Sequence, residues 1–136
     1  MDSELEKAVT FFRFEDLRIY HKAIDYIEWV TIKTSQFPND NQASIGGRFG
    51  LSAQAIALNI SEGSARNKSQ FIYYLKMAKS AVRECVVFTL LASKLGYINE
   101  TEVEESRGQL MEMTKMIGAL IGSLQRASDL NAEDPD

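Results

Sequence analysis

The chain has 136 residues, 45% of them hydrophobic, with two prolines and a formal net charge of −4. That is one domain's length with enough apolar content for a sizeable core, which excludes a disordered chain, and the negative balance excludes a protein that coats nucleic acid over its whole surface. A single cysteine, Cys85, excludes an internal disulfide.

The N-terminus, Met1-Asp2-Ser3-Glu4-Leu5-Glu6, is acidic and lacks the apolar core of a signal peptide. The longest nearly apolar run, Val86 to Ala92, is far short of the roughly 20 residues that span a bilayer. A cytoplasmic protein without a membrane span is therefore expected. Pro38 and Pro135 interrupt no long periodic segment, which predicts an all-α fold.

Residues 1–14 lack clear helical periodicity, yet Phe11, Phe12 and Phe14 need a partner, so an arm that docks on the bundle or on a neighbour is expected. From Asp16 the pattern Leu17, Tyr20, Ala23/Ile24, Ile27, Val30 and Thr34 predicts a first helix, ending near Phe37-Pro38 because the residue before a proline is pushed out of the α region. Asn39-Asp40-Asn41 is turn chemistry, and Ile45, Phe49, Ser52, Ile56 and Ile60 then follow one face of a second helix. Gly46, Gly47 and Gly50 each cost about 1 kcal/mol there, so its first turns are expected to fray or break. The other reading is a small-residue stripe, Gly46, Gly50, Ala53 and Ala57, that lets another helix come close.

Gly63 can take the left-handed conformation that ends a helix, and Asn67 with Gln70 starts the next. The third helix is predicted from Lys68 to Lys94, with Phe71, Tyr74/Leu75, Ala78, Val82 and Cys85/Val86 inside and Leu95-Gly96 closing it. Its C-terminal half adds Val87, Phe88, Leu90 and Leu91, apolar nearly all round, which predicts self-association. Asn99-x-x-Glu102 and Thr101-x-x-Glu104 are capping-box candidates for a fourth helix whose seam runs Val103, Ser106, Leu110, Met113, Ile117, Leu120, Leu124 and Ala127. The resulting expectation is an up-down-up-down four-helix bundle over 15–127, followed by a disordered acidic tail over 128–136.

Nothing supports catalysis. The Glu-x-x-His pairs of di-iron bundles are missing, His21 and Cys85 stand alone, and neither a nucleophile elbow nor a phosphate loop occurs, so no catalytic residue, no metal ligand and no cofactor is expected. Charge is uneven, however. Between Ser64 and Arg83 stand Arg66, Lys68, Lys76, Lys79 and Arg83 with no acid, whereas Glu100, Glu102, Glu104, Glu105 and Glu112 make the last helix acidic. The basic stripe, with Tyr73 beside it, is a candidate contact for RNA or DNA phosphates and for stacking a base. The bland alternative is a solvated face, paired with the acidic fourth helix of the same or a neighbouring chain.

The ordered set Phe14-x-Asp16-Leu17-x-x-Tyr20-x-x-Ala23, Phe37-Pro38, Asn59-Ile60-Ser61-Glu62-Gly63 with Arg66, Phe71-x-x-x-Leu75-x-x-Ala78-x-Ser80-x-x-x-Glu84 and Leu95-Gly96-Tyr97 resembles the four-helix-bundle family of 23S rRNA intervening-sequence proteins, also called the S23 ribosomal protein family. The resemblance implies a bundle that assembles into a ring, a homopentamer, of largely unknown biochemical role. The accessory protein of diversity-generating retroelements is similar and binds nucleic acid through a basic surface. Where such proteins carry a Gln-x-Arg-Arg-like segment early in helix two, this chain reads Arg48-Phe49-Gly50-Leu51. Structural roles are expected for Asn59, Glu62, Gly63, Ser80 and Glu84: Asn59 and Glu62 satisfying backbone donors at the turn, Gly63 making it, and Glu84 pairing with Arg48. The function expected is a non-enzymatic, self-assembling scaffold or adaptor, or else a protein–protein module without nucleic-acid affinity.

Overall fold

The computed structural model describes residues 12–38 and 44–133, the stretch 128–133 as backbone alone. A 3-10 turn at Arg13–Asp16 precedes four helices, α1 (Arg18–Thr34), α2 (Ile45–Ser64), α3 (Lys68–Lys94) and α4 (Glu100–Glu133). Each packs on its neighbours in sequence and α4 closes against α1, so the chain is a four-helix bundle with no strand among the described residues.

Local chemistry sets the boundaries. Phe37, buried in the turn after α1, packs on Tyr97 with ring centroids 5.0 Å apart, and this joins the two loops at one end of the bundle. The Ser44 hydroxyl accepts from the Gly47 amide (3.2 Å) and opens α2. Asn67 accepts from the Gln70 amide (2.9 Å) and opens α3. The reciprocal capping box is complete at α4, where Asn99 accepts from the Glu102 amide (2.8 Å) and the Glu102 carboxylate accepts from the Asn99 amide (2.9 Å). At the end of α3, Gly96 has φ +77°, its amide donates to Ser93 and that of Tyr97 to Ala92, which is the Schellman arrangement.

The core is drawn from one stripe per helix: Ala23, Tyr26 and Val30 of α1, Phe49, Ile56 and Ile60 of α2, Leu75, Val82 and Cys85 of α3, and Leu110, Met113 and Ile117 of α4. Each large side chain so buried contributes about 1.5–3 kcal/mol of transfer free energy. Three polar residues share that interior. The Tyr26 and Ser106 hydroxyls are 2.8 Å apart, Ser106 and Thr89 2.7 Å, and Thr89 donates to the Cys85 carbonyl (2.7 Å), so α1, α3 and α4 are tied by a chain with no unpartnered atom.

Four expectations need correction. Helix α2 runs unbroken through Gly46, Gly47 and Gly50, because packing of its apolar face outweighs a propensity cost of about 1 kcal/mol per glycine. Gly63 sits inside α2 with no left-handed turn; a Cβ there would lie 2.6 Å from Tyr74 Cβ, so the glycine serves close approach of α3. Asn59 donates to the Ala55 carbonyl one turn back (2.8 Å) rather than to the turn. The last helix continues past Ser128 to Glu133, since Ser128–Glu133 contains no glycine or proline to stop a helix already formed.

Of the expected arm, Phe14 packs edge-on against Tyr20 at 4.9 Å and the His21 ring meets the Glu15 carbonyl at 2.6 Å. Residues 1–11, the Asn39-Asp40-Asn41 turn and residues 134–136 lie outside the described residues. No described helix is long and apolar enough to cross a membrane.

Candidate nucleic-acid interface

Helix α3 turns Lys68, Lys76 and Arg83 into solvent with Lys79 half-buried beside them. At 3.6 residues per turn these four fall within about 80° of the helix circumference, and they span about 22 Å along its axis. Tyr73 stands on the adjoining face, exposed, with its ring edge-on to Tyr74 at 5.3 Å. None of the four cations meets a carboxylate within ion-pair distance among the described residues. Arg83 does reach the Ser80 hydroxyl, donating at 3.3 Å.

Three acids of α4 are engaged on the other side. Glu112 pairs with Lys22 (3.3 Å), Glu102 with Lys33 (2.9 Å), and Glu105 accepts from the Trp29 indole (3.0 Å), all three partners lying on α1. The Asn99 amide, followed by Lys33, holds the Glu102 carboxyl below its ordinary value. Among the described residues no ion pair joins the basic stripe to the fourth helix of the same chain.

Arg66 differs from the others. It is hydrogen-bonded to the Glu62 carboxylate, which raises its pKa, and its guanidinium lies over the Tyr74 ring at 5.5 Å. Glu62 therefore orients an arginine at the α2–α3 turn.

Farther along the same outward face the chemistry changes. Val87, Leu90 and Leu91 are exposed, and Val87 and Phe88 face Leu51 of α2 across a surface groove of about 460 Å³ that Arg48, Ser52 and Glu84 also line. The expected Arg48–Glu84 ion pair is not formed. Glu84 accepts from Ser52 (2.8 Å), and Arg48 lies over the Phe88 ring at 5.9 Å, because each charge points along its own side of the groove. Sequence reasoning missed Leu51 and Leu58, whose signal was a pair of apolar residues seven apart on α2 that both face solvent. Among the described residues no three His, Cys, Asp or Glu side chains cluster as a metal set.

A bundle of this connectivity, bearing the Asn59-to-Gly63 and Ser80-to-Glu84 segments on adjoining helices, has a family counterpart: the 23S rRNA-intervening sequence protein family matches residues 15–119. The chain belongs to that family. For this 23S rRNA-intervening sequence family member, the match ends within α4, so all of α1, α2 and α3 and most of the seam of α4 lie inside it. No curated protein matches the chain.

Proposed function

We propose that the chain is a non-enzymatic, self-assembling helical scaffold whose α3 presents a cationic face to RNA or DNA. One observation carries this reading: the outward side of a single helix is divided into a cationic half (Lys68, Lys76, Lys79, Arg83, with Tyr73) without an ion pair among the described residues and an apolar half (Val87, Leu90, Leu91). The apolar half favours burial against another molecule, since an exposed contiguous apolar patch on a helix is a contact surface. The cationic half stays in water and attracts phosphates, and Tyr73 offers a flat face to an unstacked base. The assembly number we propose is five, the ring that the family resemblance implies.

Fluorescence anisotropy with a labelled single-stranded RNA and its DNA equivalent, titrated at rising salt, tests the ligand. Binding is expected to weaken steeply with salt, and replacing Lys76 or Arg83 by glutamine should weaken it across sequences and lower the log–log salt slope by about 1 per contact removed. Absence of binding at low salt, or binding indifferent to salt, contradicts the nucleic-acid half of the reading and favours a protein–protein module, for which the apolar half of α3 alone is the supporting feature.

A further inference from the structure

The α2–α3 groove and the outer ridge of α1 each expose apolar side chains beside a charge that meets no opposite charge among the described residues, Arg48 in the groove and Glu28 on the ridge. The groove is walled by Leu51 and Val87, 54% and 63% exposed, and Leu91, four residues beyond Val87 on α3, is exposed as well. Its charged lining is Arg48 and Glu84, and a Glu84 carboxylate oxygen is already taken by Ser52, which leaves Arg48 as the groove's free charge. The outer ridge of α1 carries Ile24 and Ile32, 42% and 53% exposed, with Glu28 midway between them and Asp25 alongside. Neither Asp25 nor Glu28 meets a cation among the described residues, and Arg48 meets no carboxylate.

Residues 24, 28 and 32 are successive i, i+4 neighbours, so they form a nearly straight ridge about 12 Å long. Such a ridge fits between two packed helices as ridges fit grooves in helix packing generally. Within one chain it cannot reach the groove, because α1 touches α2 and α4 while the groove opens outward between α2 and α3.

We infer that the α2–α3 groove receives the α1 ridge of a second copy of the chain, with Glu28 set against Arg48 and with Ile24 and Ile32 against Leu51, Val87 and Leu91. The inference rests on the self-assembly just proposed and specifies its two surfaces. Ridge and groove lie on different faces, so the contact is head-to-tail and closes as a ring when the rotation between copies divides a full turn. The cationic half of α3 is left open by this contact.

Multi-angle light scattering over a dilution series tests it, using Glu28→Arg, Arg48→Glu and the two together. Each single reversal should raise the concentration needed for assembly by about tenfold or more, and the double reversal should restore it to near the wild-type value, a pattern that misfolding cannot imitate. Val87→Glu should also disperse the assembly, while Met111→Glu, on the outward face of α4, should not. An assembled wild type whose single reversals assemble equally well, or whose assembly is lost in Met111→Glu but kept in Val87→Glu, overturns this contact alone. A wild type that runs as one chain at every concentration overturns the assembly and the contact with it.

Discussion

Gly63 shows how narrow the tolerance is at the crossing of α2 and α3. A methyl group there would stand 2.6 Å from Tyr74 Cβ and 3.0 Å from the Phe71 ring, and a Cβ atom cannot swing aside as a side-chain tip can. Gly63→Ala is therefore expected to destabilise the bundle by about 1–3 kcal/mol, the usual cost of forcing extra volume into a packed site, read as a lower urea midpoint. An unchanged midpoint would mean that α3 shifts freely at this crossing. The sequence could not distinguish a glycine needed for a turn from one needed for contact, since both appear as the same letter near a helix end. The capping residues Asn67 and Asn99 were legible because a cap acts over three residues of its own chain. Glu84 was misassigned because its partner depends on rotation about the helix axis: Ser52 and Arg48 are one turn apart on α2, and the choice between them is made by packing.

At the scale of helices, the polar chain Tyr26–Ser106–Thr89 has a consequence for pH. Burial, and next the charge of Cys85, push the Tyr26 phenol far above its ordinary value of 10.0; burial, and next Glu84, push the Cys85 thiol from 9.0 up to about 12. Both groups are held neutral in the fold, while in the unfolded chain they release protons at their ordinary values. Above pH 9.0 the unfolded state thus binds fewer protons, and stability falls with rising pH up to about 12, whereas below pH 9.0 it is fully present for these two groups. Urea midpoints across this range should decline, and Cys85→Ala should make the decline shallower even though it lowers stability at neutral pH. An identical slope in both proteins would place the alkaline loss elsewhere. Helix extents were readable from apolar spacing, most directly for α3, whose ends at Lys68 and Lys94 fall where capping and the Leu95-Gly96 signal put them. The end of α4 was not, because acidic composition suppresses burial but does not stop a helix.

For the whole molecule, surface chemistry decides function. The fold uses one apolar stripe per helix and leaves further apolar side chains, on α2 and the last turns of α3, facing outward beside a row of cations that meet no carboxylate among the described residues. The surplus on α3 was visible in the sequence as a helix apolar nearly all round, and the cations as a run without acids; that the two occupy successive halves of one outward face required the bundle. If the proposed assembly and ligand binding both hold, this separation assigns each to its own half of the helix. The match to the 23S rRNA-intervening sequence protein family covers the first three helices and the α4 seam as far as Ile117.

The most direct measurement is the molar mass in solution by light scattering as the protein is diluted. A discrete multiple of the single-chain mass is expected, persisting on dilution and falling when Val87 is replaced by glutamate; a mass of one chain at high concentration would overturn the proposed self-assembly.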